Sequence, residues 1–258
     1  MPDAFYEPLG DGRFASTELT VGPWDVAAQH AGPPAALAGR AAELCPGTDP
    51  AEWAVTRVTC EILGPVPVAE LDVMAAVVRG GRSVQLVEVT IAAAGRAVML
   101  ARAWRQRTAG LDLPAPASPP VPPLPDAESE LPPGWSGGYL AAVEWRLAEG
   151  GIGVSGPAMA WTRLRHPLVA DEAVSPLQRV LAVADSGSGV SSEVDIRKWL
   201  FVNTELTVHL HRHPAGEWVG LDAAMTVEPL GTGLATSRLW DRDGLLGRGA
   251  QALVIRPR

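Results

Sequence analysis

The sequence predicts an α+β protein of two tandem units, each a curved antiparallel β-sheet wrapped around a central helix. Three observations lead there. Sliding the segment around Gly95 onto the segment around Gly244, an offset of 149 residues (244 − 95), lays 71–104 over 220–253 without a gap. Each copy then reads as strand, turn, strand, turn, strand. Upstream of each, a proline opens a helical run with an acid nine residues on: Pro34 with Glu43, and Pro176 with Asp185. Between the copies, prolines crowd into 113–125. Proline lacks the backbone N–H and fixes φ, so this stretch suits neither a helix nor a sheet interior and is expected to run extended as a semi-rigid linker. The expected division is an N-terminal unit at 1–108, a proline-rich linker at 109–134 and a C-terminal unit at 135–258.

In chain order, 13–20 reads as a strand. Pro33 and Pro34 sit where the first helical turn tolerates proline. The run from Ala35 to Leu44 is a strong helix former, small and apolar on most sides, which suits a buried helix. Cys45-Pro46-Gly47 stops it. Strands follow at 53–63, 70–79, 83–93 and 97–106, with glycine-bearing turns at 80–82 and 94–96. Past the linker, strands are expected at 139–148 and 156–165, a helix at 176–185, and strands at 201–212, 218–227, 233–241 and 247–255. Asp243-Gly244 marks a hairpin. The tryptophans at 104, 145, 161, 199, 218 and 240 are expected to fill the cores or the seam between units.

Bulk properties narrow the function. The chain has 258 residues, 47% of them apolar, ample for packed cores. Its net charge is −8 and no Lys/Arg block occurs, so nucleic acid and anionic membrane surfaces find no electrostatic footprint. No apolar run approaches the roughly 20 residues of a membrane helix, and the start, Met1-Pro2-Asp3, has no basic and apolar export signal. Cys45 and Cys60 are the only cysteines, too few for a zinc site or a disulfide framework. The expectation is a soluble cytoplasmic protein with no metal and no cofactor.

Several runs resemble the double-hotdog acyl-CoA thioesterases of type II. Gly22-Pro-Trp-Asp-Val-Ala-Ala-Gln-His30-Ala-Gly-Pro-Pro-Ala-Ala-Leu37 is similar to that family's entry into the first central helix. Glu61-Ile-Leu-Gly-Pro-Val-Pro67 and 78–88 fit the same order. So do Ala184-Asp185 at a helix end, 203–212, Gly216-Glu-Trp218 and Gly247-Arg-Gly-Ala-Gln251. The resemblance spans nearly the whole chain outside the linker, and it implies two tandem hotdog domains that hydrolyse an acyl thioester through a water held by protein side chains. It places the acid at Asp185, an amide at Gln251, and the third member at Asn203 or Thr204, where the family carries a hydroxyl. Gly32 then belongs to the substrate-binding entrance, and His30 either lines that entrance or simply bonds a backbone carbonyl. Backbone N–H groups near Gly32 or near Ser175-Pro176 are candidates for polarising the carbonyl, because helix starts favour negative charge. A protein nucleophile is not required, and no Gly-x-Ser-x-Gly elbow occurs.

Reading copy against copy, Asp185 overlays Glu43, Asn203 and Thr204 overlay Val55 and Thr56, and Gln251 overlays Arg102. Both copies keep an acid, while the flanking amides occur in the second alone, so one working site is expected. Three competing readings stand beside this one. Asp25 and His30 have the Asp-x4-His spacing of hotdog enoyl-CoA hydratases, although Val26, Ala27 and Ala28 depart from that family's context. His209, His211 and His213 alternate on a strand at a spacing able to chelate a metal, with no acid or cysteine grouped beside them. A binder of acyl-CoA or of an acyl carrier, without catalysis, is the reading from a different class. Two fused units already supply the two-subunit hotdog pair, so a monomer suffices, while exposed sheet edges leave a homo-oligomer open.

Overall fold

The computed structural model describes residues 2–47, 49, 51–114, 118–133, 135 and 137–258. The first half comprises β1 (Tyr6–Gly10), β2 (Arg13–Ser16), α1 (Gly32–Leu44), β3 (Trp53–Ile62), β4 (Glu70–Arg79), β5 (Val84–Ala93) and β6 (Arg96–Arg107). The second comprises α2 (Gly138–Ala141), β7 (Val143–Glu149), β8 (Ala158–Leu164), α3 (Pro176–Ala184), α4 (Gly187–Val190), β9 (Trp199–Asn203), β10 (Glu205–Leu210), β11 (Val219–Glu228), β12 (Thr232–Asp241) and β13 (Gly244–Pro257). All these strands lie in one antiparallel sheet ordered β1-β2-β4-β5-β6-β3-β10-β13-β12-β11-β8-β7, with β9 added alongside β13. The sheet's inner face covers the two helices, which is the tandem hotdog architecture.

The halves join where β3 pairs with β10. Val58 lies opposite Val208, Thr59 opposite Thr207, and Cys60 opposite Leu206. The Thr207 and Thr59 hydroxyls lie 3.2 Å apart across the seam, the Thr207 proton going to the Glu205 carboxylate at 2.8 Å. The helices pack against each other in antiparallel fashion, because Gly32 at the start of α1 meets the end of α3. A Cβ on Gly32 would stand 2.1 Å from the Ala182 carbonyl oxygen, and one on Gly39 would stand 2.3 Å from Leu181 Cδ1. Glycine at these two places is what lets the backbones approach. At the far end of α1 the buried Arg105 guanidinium donates to the carbonyls of Cys45 (2.6 Å) and Pro46 (3.3 Å) and to Gln85 Oε1 (2.7 Å).

The ladders correct the repeat by one residue. Val98 bulges between the pairs Ile91–Met99 and Ala92–Ala97, and Leu246 bulges between Leu239–Gly247 and Trp240–Leu245. Those matching bulges set the offset at 148 (246 − 98), not 149. Val55 and Thr56 remain the counterparts of Asn203 and Thr204, also 148 apart. The counterpart of Gln251, however, becomes Ala103, which is buried, rather than Arg102, which lies on the outer face against Glu88 at 2.8 Å. The asymmetry sharpens, since the first half has a methyl where the second has an amide.

Other expectations also shift. β1 was not foreseen, 13–20 ends as a strand at Ser16, and 138–141 is a helical turn rather than the start of a strand. Gly138 takes φ 57° there, a backbone that an extended strand does not use. The strand expected over 201–212 divides at Thr204 into β9 and β10. Trp145, Trp161 and Trp240 are fully buried as expected, but Trp199 is 39% exposed, and Trp218 stands beneath the guanidinium groups of Arg146 (4.6 Å) and Arg163 (4.9 Å). Of the linker expected over 109–134, residues 115–117 and 134 lie outside the described residues. Its described part carries no helix or strand and is docked: Pro123 O accepts from Trp161 Nε1 at 3.0 Å, and Pro125 O accepts from Arg146 at 2.9 Å. Among the described residues no helix is long and apolar enough to cross a membrane.

Candidate active site

Asp185 caps the C-terminal end of α3, where the helix dipole disfavours a negative charge. Amide donors offset this. Asn203 Nδ2 donates to Asp185 Oδ1 at 2.7 Å, and Gln251 Nε2 donates to the same oxygen at 3.1 Å. Gln251 Nε2 also donates to the Asp185 carbonyl at 2.8 Å, while its Oε1 accepts from Ser188 N–H at 3.0 Å. That last bond fixes which end of the amide is oxygen. Asp185 and Gln251 are buried, and Asn203 is partly so.

The choice between Asn203 and Thr204 is set by a bulge. Three steps along β13, from Ala250 to Leu253, face four along the partner, from Thr207 to Asn203. The extra residue reverses the alternation, so Phe201 and Asn203 face inward before it and Leu206 and Val208 after it. Thr204 is exposed and lines the same cavity as Asp185 and Asn203, but its hydroxyl lies 3.5 Å from the Ala252 carbonyl and makes no hydrogen bond to Asp185. The Ala252 N–H beside the bulge is satisfied by the Glu205 carboxylate at 2.8 Å. Asp185, Asn203 and Gln251 therefore converge, and the Thr204 hydroxyl does not join them.

His30 completes the group. Its Nδ1 lies 3.3 Å from Asp185 Oδ2 and 3.1 Å from the Gly32 N–H. One nitrogen cannot both donate to the carboxylate and accept from the amide. Burial pushes His30 below the ordinary imidazole range despite the pull of Asp185, so the ring is neutral at neutral pH. The hydrogen bond made at this nitrogen is the one from the Gly32 N–H, so Nδ1 accepts and the proton of the neutral ring sits on Nε2. The ring stacks on Tyr139 with centroids 3.8 Å apart. The Tyr139 hydroxyl lies 2.9 Å from the Ala182 carbonyl, to which it donates, and 2.8 Å from Ser186 Oγ. The loop before α1 is pinned as well: Tyr6 donates to Gln29 Oε1 at 2.6 Å, and His30 N–H donates to the Thr20 carbonyl at 2.8 Å.

A cavity of about 500 Å³ opens onto His30, Asp185 and Asn203. Its walls are largely apolar and include Trp24, Ile62, Val66, Trp135, Leu200 and Phe201. Trp24 meets Phe201 edge to face at 4.8 Å. Beneath the site, burial and the nearby carboxylates of Asp185, Glu205 and Glu61 push the Cys60 thiol far up, so it stays protonated and is no nucleophile.

Other sequence-level candidates lie elsewhere. Asp25 also lines the cavity, but its Oδ1 accepts from its own loop at Ala27 N–H (2.9 Å); the carboxylate beside His30 is that of Asp185. Ser175 caps α3 at the opposite end from Asp185 and donates to Glu43 at 2.7 Å, so that helix start does not face the acid. His209 and His211 are exposed, and His213 Nε2 lies 2.7 Å from the Val55 carbonyl. Among the described residues no group of three or more His, Cys, Asp or Glu forms a metal-binding cluster. Tyr139 and Ser186 are site neighbours that sequence reading missed; the Gly137-Gly138 pair just before Tyr139 was the available sign of a break in the strand.

The profile of the acyl-CoA thioesterase N-terminal domain matches residues 20–106, and that of the acyl-CoA thioesterase C-terminal domain matches 116–255. Among solved structures, a hotdog-fold protein of unknown function from Alicyclobacillus acidocaldarius superposes with TM-score 0.73 at 20% identity, over 98% of this chain and 97% of that one. The acyl-CoA thioesterase II TesB2 of Mycobacterium marinum gives 0.69 at 16% identity, over 98% and 95%. The tesB protein of Mycobacterium avium subspecies paratuberculosis gives 0.67 at 17% identity, over 98% and 96%. No curated protein matches the chain in sequence. With both domain profiles matched in order across the tandem hotdog fold, the chain belongs to the acyl-CoA thioesterase family.

Proposed function

We propose that the protein hydrolyses an acyl thioester by attack of a water held at Asp185, and that Asp185, Asn203 and Gln251 are its catalytic set. The observation that carries this reading is the division of labour on one carboxylate. Oδ1 is occupied by two amide donors, while Oδ2 faces the neutral His30 ring beside an apolar cavity. A carboxylate oriented in this way can accept the proton of a water as its oxygen attacks the thioester carbonyl. The tetrahedral intermediate then expels the thiolate, which takes the proton from Asp185, giving a carboxylic acid and a free thiol. The apolar walls suit the acyl group.

The test is release of free thiol from a panel of acyl-CoA thioesters by the native protein and by Asp185→Asn. The substitution keeps the side chain's shape and removes the base, so kcat is expected to fall by about 10²–10⁴. Thiol release by neither protein would sink the hydrolase reading, and equal release by both would remove Asp185 from the chemistry.

A further inference from the structure

We infer that the outer face of the sheet carries a second binding site, which takes a compact polyanion bearing two or more phosphate groups. This site stands apart from the cavity at Asp185 and does not rest on the thioesterase reading. Its core is one row of side chains running across adjacent strands. Arg57 on β3 lies directly opposite His209 on β10, His209 opposite Arg248 on β13, and Arg248 opposite Arg238 on β12. Trp104 on β6 continues the row beyond Arg57 and carries the Arg79 guanidinium over its ring at 5.5 Å. The row faces away from the helices, since the strand neighbours Ala103, Val58, Val208 and Leu239 are buried on the inner face. Two concavities of about 630 and 610 Å³ meet at His209 and Arg248. Arg238 and Asp222 line the first, and Arg57 and Trp104 line the second.

What marks the row is missing counter-charge. Other arginines on the outer face are paired: Arg102 with Glu88 at 2.8 Å, and Arg238 with Asp222, whose Oδ2 accepts from Arg238 Nε at 2.8 Å. Among the described residues, Arg57 and Arg248 have no carboxylate within salt-bridge distance. Arg57 Nε is moreover buried with no hydrogen-bond partner among them. The two linings together hold Arg57, Arg238 and Arg248 against Asp222 alone, in a chain of net −8. Like charges directly opposite on neighbouring strands destabilise a sheet, and a buried donor without a partner adds to that cost. A bound anion offsets both. Its shape follows from the row. Side chains in register on adjacent strands start about 5 Å apart, so their charged ends can converge on one spot. Acidic residues along one face of a helix or strand stand about 5.4 Å or about 6.7 Å apart and bring one charge each. A di- or triphosphate puts several charged oxygens within one such step, and arginine forks bind phosphate oxygens in pairs.

Calorimetric titration of tripolyphosphate, orthophosphate and ATP into the native protein tests this without requiring turnover. The variants are Arg57→Gln, Arg248→Gln and, as a control on the same face, Arg102→Gln. Tripolyphosphate is expected to bind more tightly than orthophosphate. Its affinity should fall about fivefold or more in each row variant and stay unchanged in the Arg102 variant. Arg248 is exposed, so its variant keeps the test decisive even where Arg57→Gln folds poorly. ATP bound as tightly as tripolyphosphate, with the same losses, assigns the site to nucleoside polyphosphates; ATP bound more weakly assigns it to free polyphosphate. No binding of tripolyphosphate by the native protein would overturn the inference. So would unchanged affinity in the Arg248 variant, or an equal loss in the Arg102 variant, which would mean diffuse surface charge. Binding of polyglutamate through Arg57 and Arg248, with none of tripolyphosphate, would overturn it in favour of an acidic protein partner. Thiol release does not enter the test, so failure here leaves the hydrolase reading standing.

Discussion

Burial and Asp185 pull the protonation of His30 in opposite directions, and burial dominates. A folded-state pKa below the unfolded value means that folding favours the neutral ring. The stabilisation is complete above the unfolded imidazole value of about 6.5 and is lost as pH falls toward the folded value. The thermal midpoint of the native protein should therefore drop more steeply between about pH 7 and pH 5 than that of His30→Gln, which has no such group. Parallel curves for the two proteins would contradict a buried neutral imidazole. At this scale Asp185 and Gln251 were legible through the resemblance, in Ala184-Asp185 and in Gly247-Arg-Gly-Ala-Gln251. The sequence could not choose between Asn203 and Thr204, because alternation counted back from Leu206 and Val208 puts Thr204 inside. Only the bulge, invisible in residue types, puts Asn203 there instead.

The two central helices were legible in the prolines that open them and in the small apolar run of α1. Their termini were less so, because what completes them comes from distant strands. Serine 175 caps α3 locally, with the Gln178 N–H donating to its hydroxyl at 3.2 Å, a pattern a sequence can show. The carbonyls after α1 depend instead on Arg105, far along the chain on β6. Arg105 is only 1% exposed, so removing its guanidinium leaves the buried Cys45 carbonyl and Gln85 Oε1 without this donor. Arg105→Met keeps much of the side chain's bulk and should lower the unfolding free energy by about 2–4 kcal/mol, read from denaturant midpoints at unchanged slope. A loss below about 0.5 kcal/mol would mean that water replaces the guanidinium there.

The duplication was legible as a whole, but its register was not, because glycine in a turn does not mark the same turn position twice. Gly95 sits inside the first hairpin turn, between the paired residues Ala93 and Arg96, while Gly244 is itself the paired residue after the second, opposite Asp241. Aligning them costs one residue, enough to exchange inner and outer faces along β6 and β13. Corrected, the repeat has an axis: Thr59 and Thr207, exactly equivalent at 148 residues apart, face each other where β3 meets β10. The halves are also tied elsewhere. Phe5 N–H donates to the Pro167 carbonyl at 3.1 Å and Tyr6 N–H to Leu168 at 3.0 Å, so β1 of the first half docks on the second. Arg40 and Glu172 form a two-pronged pair with both contacts at 2.6 Å, and α1 lies against α3 through its glycines. Splitting the halves would open the β3 and β10 edges and bare the apolar faces of both helices. The chain should accordingly unfold in a single calorimetric transition whose van't Hoff and calorimetric enthalpies agree, despite its two-unit ancestry. Residues 1–134 expressed alone should fail to give a soluble, folded monomer. Two resolved transitions, or a cooperatively folding isolated half, would show that the β3–β10 seam is a contact between autonomous domains, and the site at Asp185, which borrows His30 from the other half, would then be assembled only on docking.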